Sequence, residues 1–179
     1  VEDLIWKIKD GHQASFKVLY DQYADYTIRV AIAITKNSAY AADAVQETFI
    51  RVYNNIQSFD DSKPFEPWLY RILVNECNRV LKKQSKTISI SDYMEDSSIM
   101  SEEDSYEFEE YEDLYSAIED LEDLNRIPII LKYLRGFTEN EIADILELNV
   151  NTVKSRLFKG REKLRKMMER YKEGRRQYE

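Results

Sequence analysis

Apolar positions in the first block of this chain recur at helical spacing. Leu4 to Lys9 reads as a short amphipathic opening. From Ala14 to Lys36, Phe16, Leu19, Tyr20, Tyr23, Ile28 and Ile32 fall at roughly helical intervals. Asn37-Ser38 breaks the pattern, and Ser38 is placed to cap the next helix, which is expected to run to about Ile56. Along it Val45, Phe49, Val52 and Ile56 stand at i, i+4, i+7 and i+11, one continuous apolar face. "SFDDSKPFEP" (Ser58 to Pro67) holds two prolines and reads as a loop. Pro67 suits a first helical turn, so a further helix is expected from there to Lys83, with Leu69, Leu73 and Val80 inward.

The pattern then lapses. Ser85 to Glu110 has no sustained helical period and is rich in Ser, Asp and Glu. So long a stretch seldom sits inside a compact domain, so it is taken as a boundary: a flexible acidic linker over residues 86–110 between domains 1–85 and 111–179. Beyond it Leu114, Ile118 and Leu121, then Ile127, Ile130, Leu131 and Leu134, line two more faces. Gly136 stands where a helix stops. "TENE" (Thr138 to Glu141) matches a capping box ahead of Ile142, Ile145 and Leu146. Ala143 is small where a second helix could cross closely. Leu148-Asn149 forms a tight turn with Asn149 as N-cap, and Val153, Leu157 and Leu164 point inward from the last helix. The expected fold is all-α: two small helical domains, the C-terminal one containing a helix-turn-helix.

Composition supports this and removes several function classes. Only four Gly and three Pro occur among 179 residues, and 43% are hydrophobic, enough for a core. One cysteine, Cys77, and one histidine, His12, give neither a disulfide framework nor a zinc spacing. Cys77 reads as a half-buried helix residue and His12 as a solvated turn residue. No apolar run approaches a membrane span and no signal peptide opens the chain, so a soluble, cytoplasmic protein is expected, with no metal, cofactor or small-molecule ligand.

Charge is unevenly placed. The net charge is −8, yet residues 1–85 balance at 0, residues 86–125 carry −14 and residues 126–179 carry +6. Between Asn149 and Arg170 eight Lys and Arg face two Glu. A capped helix, a tight turn and a basic second helix describe a helix-turn-helix whose second helix enters the DNA major groove. Lys154, Ser155, Phe158 and Lys159 lie opposite Val153 and Leu157. An aromatic on an otherwise basic outer face suits thymine methyls, and the lysines can reach guanine acceptors or phosphates. Thr152, Arg156 and Arg161 sit where backbone phosphates would pass. On the Pro67–Lys83 helix Arg71, Asn75, Asn78 and Lys82 fall at i, i+4, i+7 and i+11, beside Arg79 and Lys83. Such a stripe of amides and cations can hold phosphates and exposed base edges, and Phe65 and Trp68 beside it can stack on unpaired bases or belong to the core.

"FTENEIADILELNVNTVKSRLFKGREKLRK" closely resembles the C-terminal domain of extracytoplasmic-function (ECF) sigma factors, and "DAVQETFIRVYNNIQSF" and "FEPWLYRILVNECNRVLKK" resemble the core-binding and promoter-melting parts of the same family. Asn151 departs from the family's frequent Gly; as part of the start of the recognition helix it is counted with the upstream-element residues. The resemblance implies a stress-response type of transcription initiation factor, not an enzyme, that joins core RNA polymerase through the β′ clamp helices and β flap. It implies that Asp43, Gln46, Glu47 and Ile50 dock on the clamp helices. It also implies that Lys63, Phe65, Trp68, Arg71, Asn75, Asn78, Arg79 and Lys82 hold the non-template strand of the minus-ten element, one flipped base sitting in a loop pocket. A membrane-associated anti-sigma factor that masks both domains is the implied regulator. The rival readings are a helix-turn-helix regulator that binds duplex DNA without polymerase, and an enzyme using the many carboxylates. The carboxylates cluster in the linker, where nothing fixes the geometry acid–base chemistry needs.

Overall fold

The computed structural model describes residues 1–87 and 108–176, and side chains within 1–84 and 114–171. Most of the expected linker, residues 88–107, lies outside the described residues. All regular structure among the described residues is helical: α1 (Glu2–Lys9), α2 (Gln13–Thr35), α3 (Ser38–Asn55), a 3-10 turn (Ile56–Ser58), α4 (Phe65–Thr87), α5 (Phe108–Glu119), α6 (Asp123–Arg135), α7 (Glu139–Leu146) and α8 (Val150–Arg176). Two compact units divide the chain, one containing α1–α4 and the other α5, α6 and α8.

In the first unit α2, α3 and α4 pack on one another, and α1 closes on α2 and on the 3-10 turn. The predicted α3 face is buried: Val45, Phe49, Val52 and Ile56 all lie inside, as do Leu19 of α2 and Leu69, Tyr70 and Leu73 of α4. Burying each such side chain contributes about 1.5–3 kcal/mol, which is what orders these helices. The cap of α3 is Asn37 rather than Ser38. The Asn37 backbone is extended, and its Oδ1 accepts from the Tyr40 N–H at 3.0 Å. α4 begins at Phe65, two residues before Pro67, so the proline occupies the first turn, where a missing N–H costs no hydrogen bond. It also continues past Lys83 to Thr87. Val80 is half-buried, and Cys77 is completely buried instead of half-exposed. Burial and the neighbouring Glu76 push its thiol up to about 12, so the sulfur stays protonated and inert.

In the second unit α8 lies across α5 and α6. α6 stops at Gly136, left-handed at φ 74°, with the Phe137 N–H donating to the Leu131 carbonyl at 3.3 Å. Leu134 does not join the inner face; it is exposed, and Ile129 is buried instead. Gly160 permits the close crossing of α8 over α6: a Cβ there would stand 2.8 Å from Ile129 Cγ1. Arg126 is 3% exposed, and its guanidinium donates to the Leu121 carbonyl at 3.1 Å while pairing with Asp123 at 2.7 Å. A charge so deeply placed is held by carbonyls at the end of α5 together with its carboxylate partner.

Candidate nucleic-acid interfaces

The start of α7 is built by the expected capping box. The Glu141 N–H donates to Thr138 Oγ1 at 3.2 Å, and the Thr138 N–H donates to Glu141 Oε2 at 2.8 Å. Lys132 pairs with Glu139 in the same turn at 3.1 Å and holds that carboxyl below its ordinary value. α7 ends at Leu146. Glu147 then takes a left-handed φ of 53°, and the Leu148 N–H returns to the Ala143 carbonyl at 2.9 Å. Asn149 Oδ1 accepts from the Asn151 N–H at 2.8 Å and opens α8. Three residues therefore turn the chain from one capped helix into the next.

α8 sorts its side chains by face. Val153, Leu157 and Gly160 are buried, and Leu164 is half-buried. Asn151, Lys154, Ser155, Phe158, Lys159 and Arg161 are exposed; Thr152 and Arg156 are intermediate. Phe158 is 60% exposed, so an aromatic ring is held in solvent within a cationic surface. Six residues expected on the DNA-facing side (Asn151, Thr152, Ser155, Arg156, Phe158 and Lys159) line one open concavity of ≈ 810 Å³. Leu124 at the start of α6, 58% exposed, lines the same concavity. Nothing in the local pattern marks Leu124 as exposed, since it stands i, i+3 and i+7 with the buried Ile127 and Leu131. Arg161 lies off this concavity, its guanidinium donating to the Tyr133 hydroxyl at 3.4 Å.

A second surface forms around α4. Asn75 and Lys82 are exposed; Arg71 and Asn78 are intermediate, on the same face. Lys63 is exposed on the preceding loop. Phe65 departs from the expectation: at 5% exposure it is a core residue. It meets Tyr23 with ring centroids 5.5 Å apart and Phe59 at 5.7 Å edge-on, so its ring has no face left for a base. Trp68 is half-buried and leans on Phe59 at 5.0 Å and Phe65 at 5.7 Å. Each aromatic pair adds about 0.5–1.5 kcal/mol beyond area burial, so this cluster fixes where α4 begins. Arg79 is likewise committed. Glu76, 4% exposed, receives Arg79 at 2.6 Å and Arg51 at 2.6 Å, and Glu47 stands 3.5 Å from Arg79 and 3.4 Å from Arg51. The buried carboxylate demands those cations, and helical periodicity on α4 alone could not reveal a partner on α3.

The third surface is apolar. α2 and α3 frame an open groove of ≈ 710 Å³ lined by Phe16, Tyr20, Phe49, Tyr53, Ile50 and Gln46. Ile50 is 45% and Tyr53 47% exposed. Of the residues expected to dock on polymerase, Gln46 and Ile50 lie in this groove, Asp43 is exposed on α3, and Glu47 belongs to the ion-pair network. Tyr20 and Tyr53 are aromatic contributors that the pattern of charges on α3 did not reveal. Among the described residues no cluster of His, Cys, Asp and Glu could hold a metal ion, and no helix is long and apolar enough to cross a membrane.

Comparison with known proteins agrees with this division. Residues 19–87 match Sigma-70 region 2, and residues 111–164 match Sigma-70 region 4. The chain is 32% identical over 180 residues to the ECF RNA polymerase sigma factor SigW of Bacillus subtilis, covering 94% of this chain and 96% of that protein. It is 31% identical over 181 residues to the ECF RNA polymerase sigma-E factor of Escherichia coli K12, covering 89% of each. Among solved structures it is similar to the sigma factor RpoE of Bartonella quintana in complex with the anti-sigma factor NepR (TM-score 0.75, 25% identity, 86% of this chain and 96% of that one). Its fold also matches CnrH in complex with the cytosolic domain of CnrY (TM-score 0.71, 22% identity, 94% and 96%).

Proposed function

The chain belongs to the ECF sigma factor family, and on that premise we propose how its surfaces divide the work of transcription initiation. It joins core RNA polymerase, directs it to promoters and helps open the DNA. Residues 1–85 bind the polymerase and the melted minus-ten strand; residues 111–179 read the upstream element; residues 86–110 connect the two. The protein acts in the cytoplasm, catalyses nothing itself, and is held in check by an anti-sigma factor.

The exposed face of α8 carries the upstream reading. A doubly capped helix-turn-helix presents Lys154, Ser155, Phe158 and Lys159 outward while Val153, Leu157 and Gly160 anchor the helix beneath. Lysines there reach guanine acceptors, Phe158 meets a thymine methyl, and Thr152, Arg156 and Arg161 follow phosphates. The apolar groove with Gln46 and Ile50 takes the β′ clamp helices, its exposed aromatics being the residue types that anchor protein interfaces. Along α4 Arg71, Asn75, Asn78 and Lys82 hold the separated strand, with Lys63 and Trp68 at its mouth. Phe65 serves that strand only by fixing Trp68, and Arg79 by fixing α4 on α3.

A gel shift tests this reading against a regulator that binds duplex DNA alone. Labelled promoter duplex is incubated with the protein, with core polymerase, or with both. A salt-resistant complex that requires both components is expected. A sequence-specific complex of equal stability without polymerase would contradict the proposal.

A further inference from the structure

From the end of the 3-10 turn to α4 the chain carries "SFDDSKP" (Ser58 to Pro64), the loop in which the family resemblance implies that one flipped base sits. Two adjacent carboxylates are an awkward presence next to a DNA strand. The structure deals with each one separately. Asp60 Oδ1 accepts from the Ser62 N–H at 3.0 Å and from the Ser62 hydroxyl at 2.7 Å, which holds its carboxyl below the ordinary value. The Lys63 N–H closes the same turn on the Asp60 carbonyl at 3.0 Å. Asp61 is instead taken by Lys9, the last residue of α1.

Lys9 uses its ammonium group fully. Nζ donates to the Phe59 carbonyl at 2.7 Å and lies 2.8 Å from both oxygens of Asp61. It also sits 5.7 Å from the Phe59 ring centroid. The Lys9 side chain is 16% exposed while that of Asp61 is 65% exposed, so the cation is the sheltered partner. A second tie runs the other way: Gln57 Nε2 donates to the Lys9 carbonyl at 2.8 Å. α1 therefore grips the loop at residues 57, 59 and 61, and Asp60 sets its internal turn. Phe59 in turn is the ring against which both Phe65 and Trp68 pack.

We propose that Lys9 is a positioning residue for minus-ten recognition: it fixes the 58–64 loop in a base-receiving shape and neutralises Asp61 at the place where the DNA strand passes. This rests on the reading of that loop as the base-binding element. Lys9 touches no DNA itself. Its effect is carried by the Phe59 carbonyl, the Asp61 carboxylate and the seat of Trp68.

The test uses holoenzyme assembled from the full chain and core polymerase. The probe is the non-template single strand across the melted segment of a promoter mapped by run-off transcription, with a series of versions each abasic at one position. Parent holoenzyme is expected to bind one abasic version about tenfold more weakly, as loss of one stacked base implies. Lys9→Met should bring that ratio below about threefold, Gln57→Ala should lower it by a smaller factor, and Lys9→Arg should restore it. Core-polymerase affinity and upstream-duplex affinity of the variants should stay at parent values, whatever the lost ties cost in thermal midpoint. Full discrimination in both Lys9→Met and Gln57→Ala would overturn the proposal. So would an equal loss of all three affinities together with a lowered midpoint in both, because the brace would then be merely structural. A parent holoenzyme without any abasic preference would overturn the base-binding reading of the loop, a failure distinct from that of the brace.

Discussion

On the proposed reading, Phe158 marks the difference between a DNA-reading helix and a merely solvated basic one. Its ring is 60% exposed between Lys154 and Lys159, where hydration favours a polar side chain. Phe158→Ala and Lys159→Ala should each weaken recognition of the upstream element by about 1–3 kcal/mol, and chiefly at one base position, measured by transcription from promoters altered base by base. Arg161→Ala, whose guanidinium lies by Tyr133 off the concave face, should weaken all promoters alike and lower the salt slope by about 1. Gly160 tests the packing beneath. Alanine would gain about 1 kcal/mol of helix propensity but would place its Cβ 2.8 Å from Ile129 Cγ1, a buried side chain with little room to move. Overpacking of that kind costs about 1–3 kcal/mol, so Gly160→Ala should destabilise the protein by on the order of 1 kcal/mol in denaturant unfolding.

At the scale of elements, the helix-turn-helix rests on local rules that act within a few residues. Thr138→Ala removes the hydroxyl that satisfies the Glu141 N–H and should cost about 0.5–2 kcal/mol, read as a lowered unfolding midpoint with α8 chemistry unchanged. Those same local rules explain what the sequence made legible. The capping box, the Gly136 stop, the Asn149 cap and the inward Val153 and Leu157 all depend on near neighbours, and the structure has each of them. Where the deciding partner is distant along the chain, the pattern left the outcome open. Phe65 is drawn inside by Tyr23 and Phe59, and Arg79 is held by the charge network that joins α3 to α4. α6 continues through the buried Pro128 as the apolar face from Ile127 to Leu131 requires. Asn37 outcompetes Ser38 as a cap because its extended backbone leaves Oδ1 facing the Tyr40 N–H.

For the whole molecule the issue is how an acidic protein reaches DNA. Its charge is segregated: −14 over residues 86–125 and +6 over residues 126–179, so the end proposed to read DNA is basic within a chain of net −8. The surface proposed to dock on polymerase is a different, apolar one. Gln46→Lys with Ile50→Asp should abolish co-purification with core polymerase and leave the helical circular dichroism intact, since both side chains are exposed and outside the Glu76 network. Glu47→Lys is a poorer probe, because it would set a third cation against Arg51 and Arg79. On the proposed function, promoter choice belongs to the assembly of this chain with core polymerase. Run-off transcription on genomic fragments measures it most directly. Discrete transcripts are expected that need both core polymerase and this protein, and that fall sharply with Lys159→Ala. A transcript pattern identical with and without the protein would contradict it.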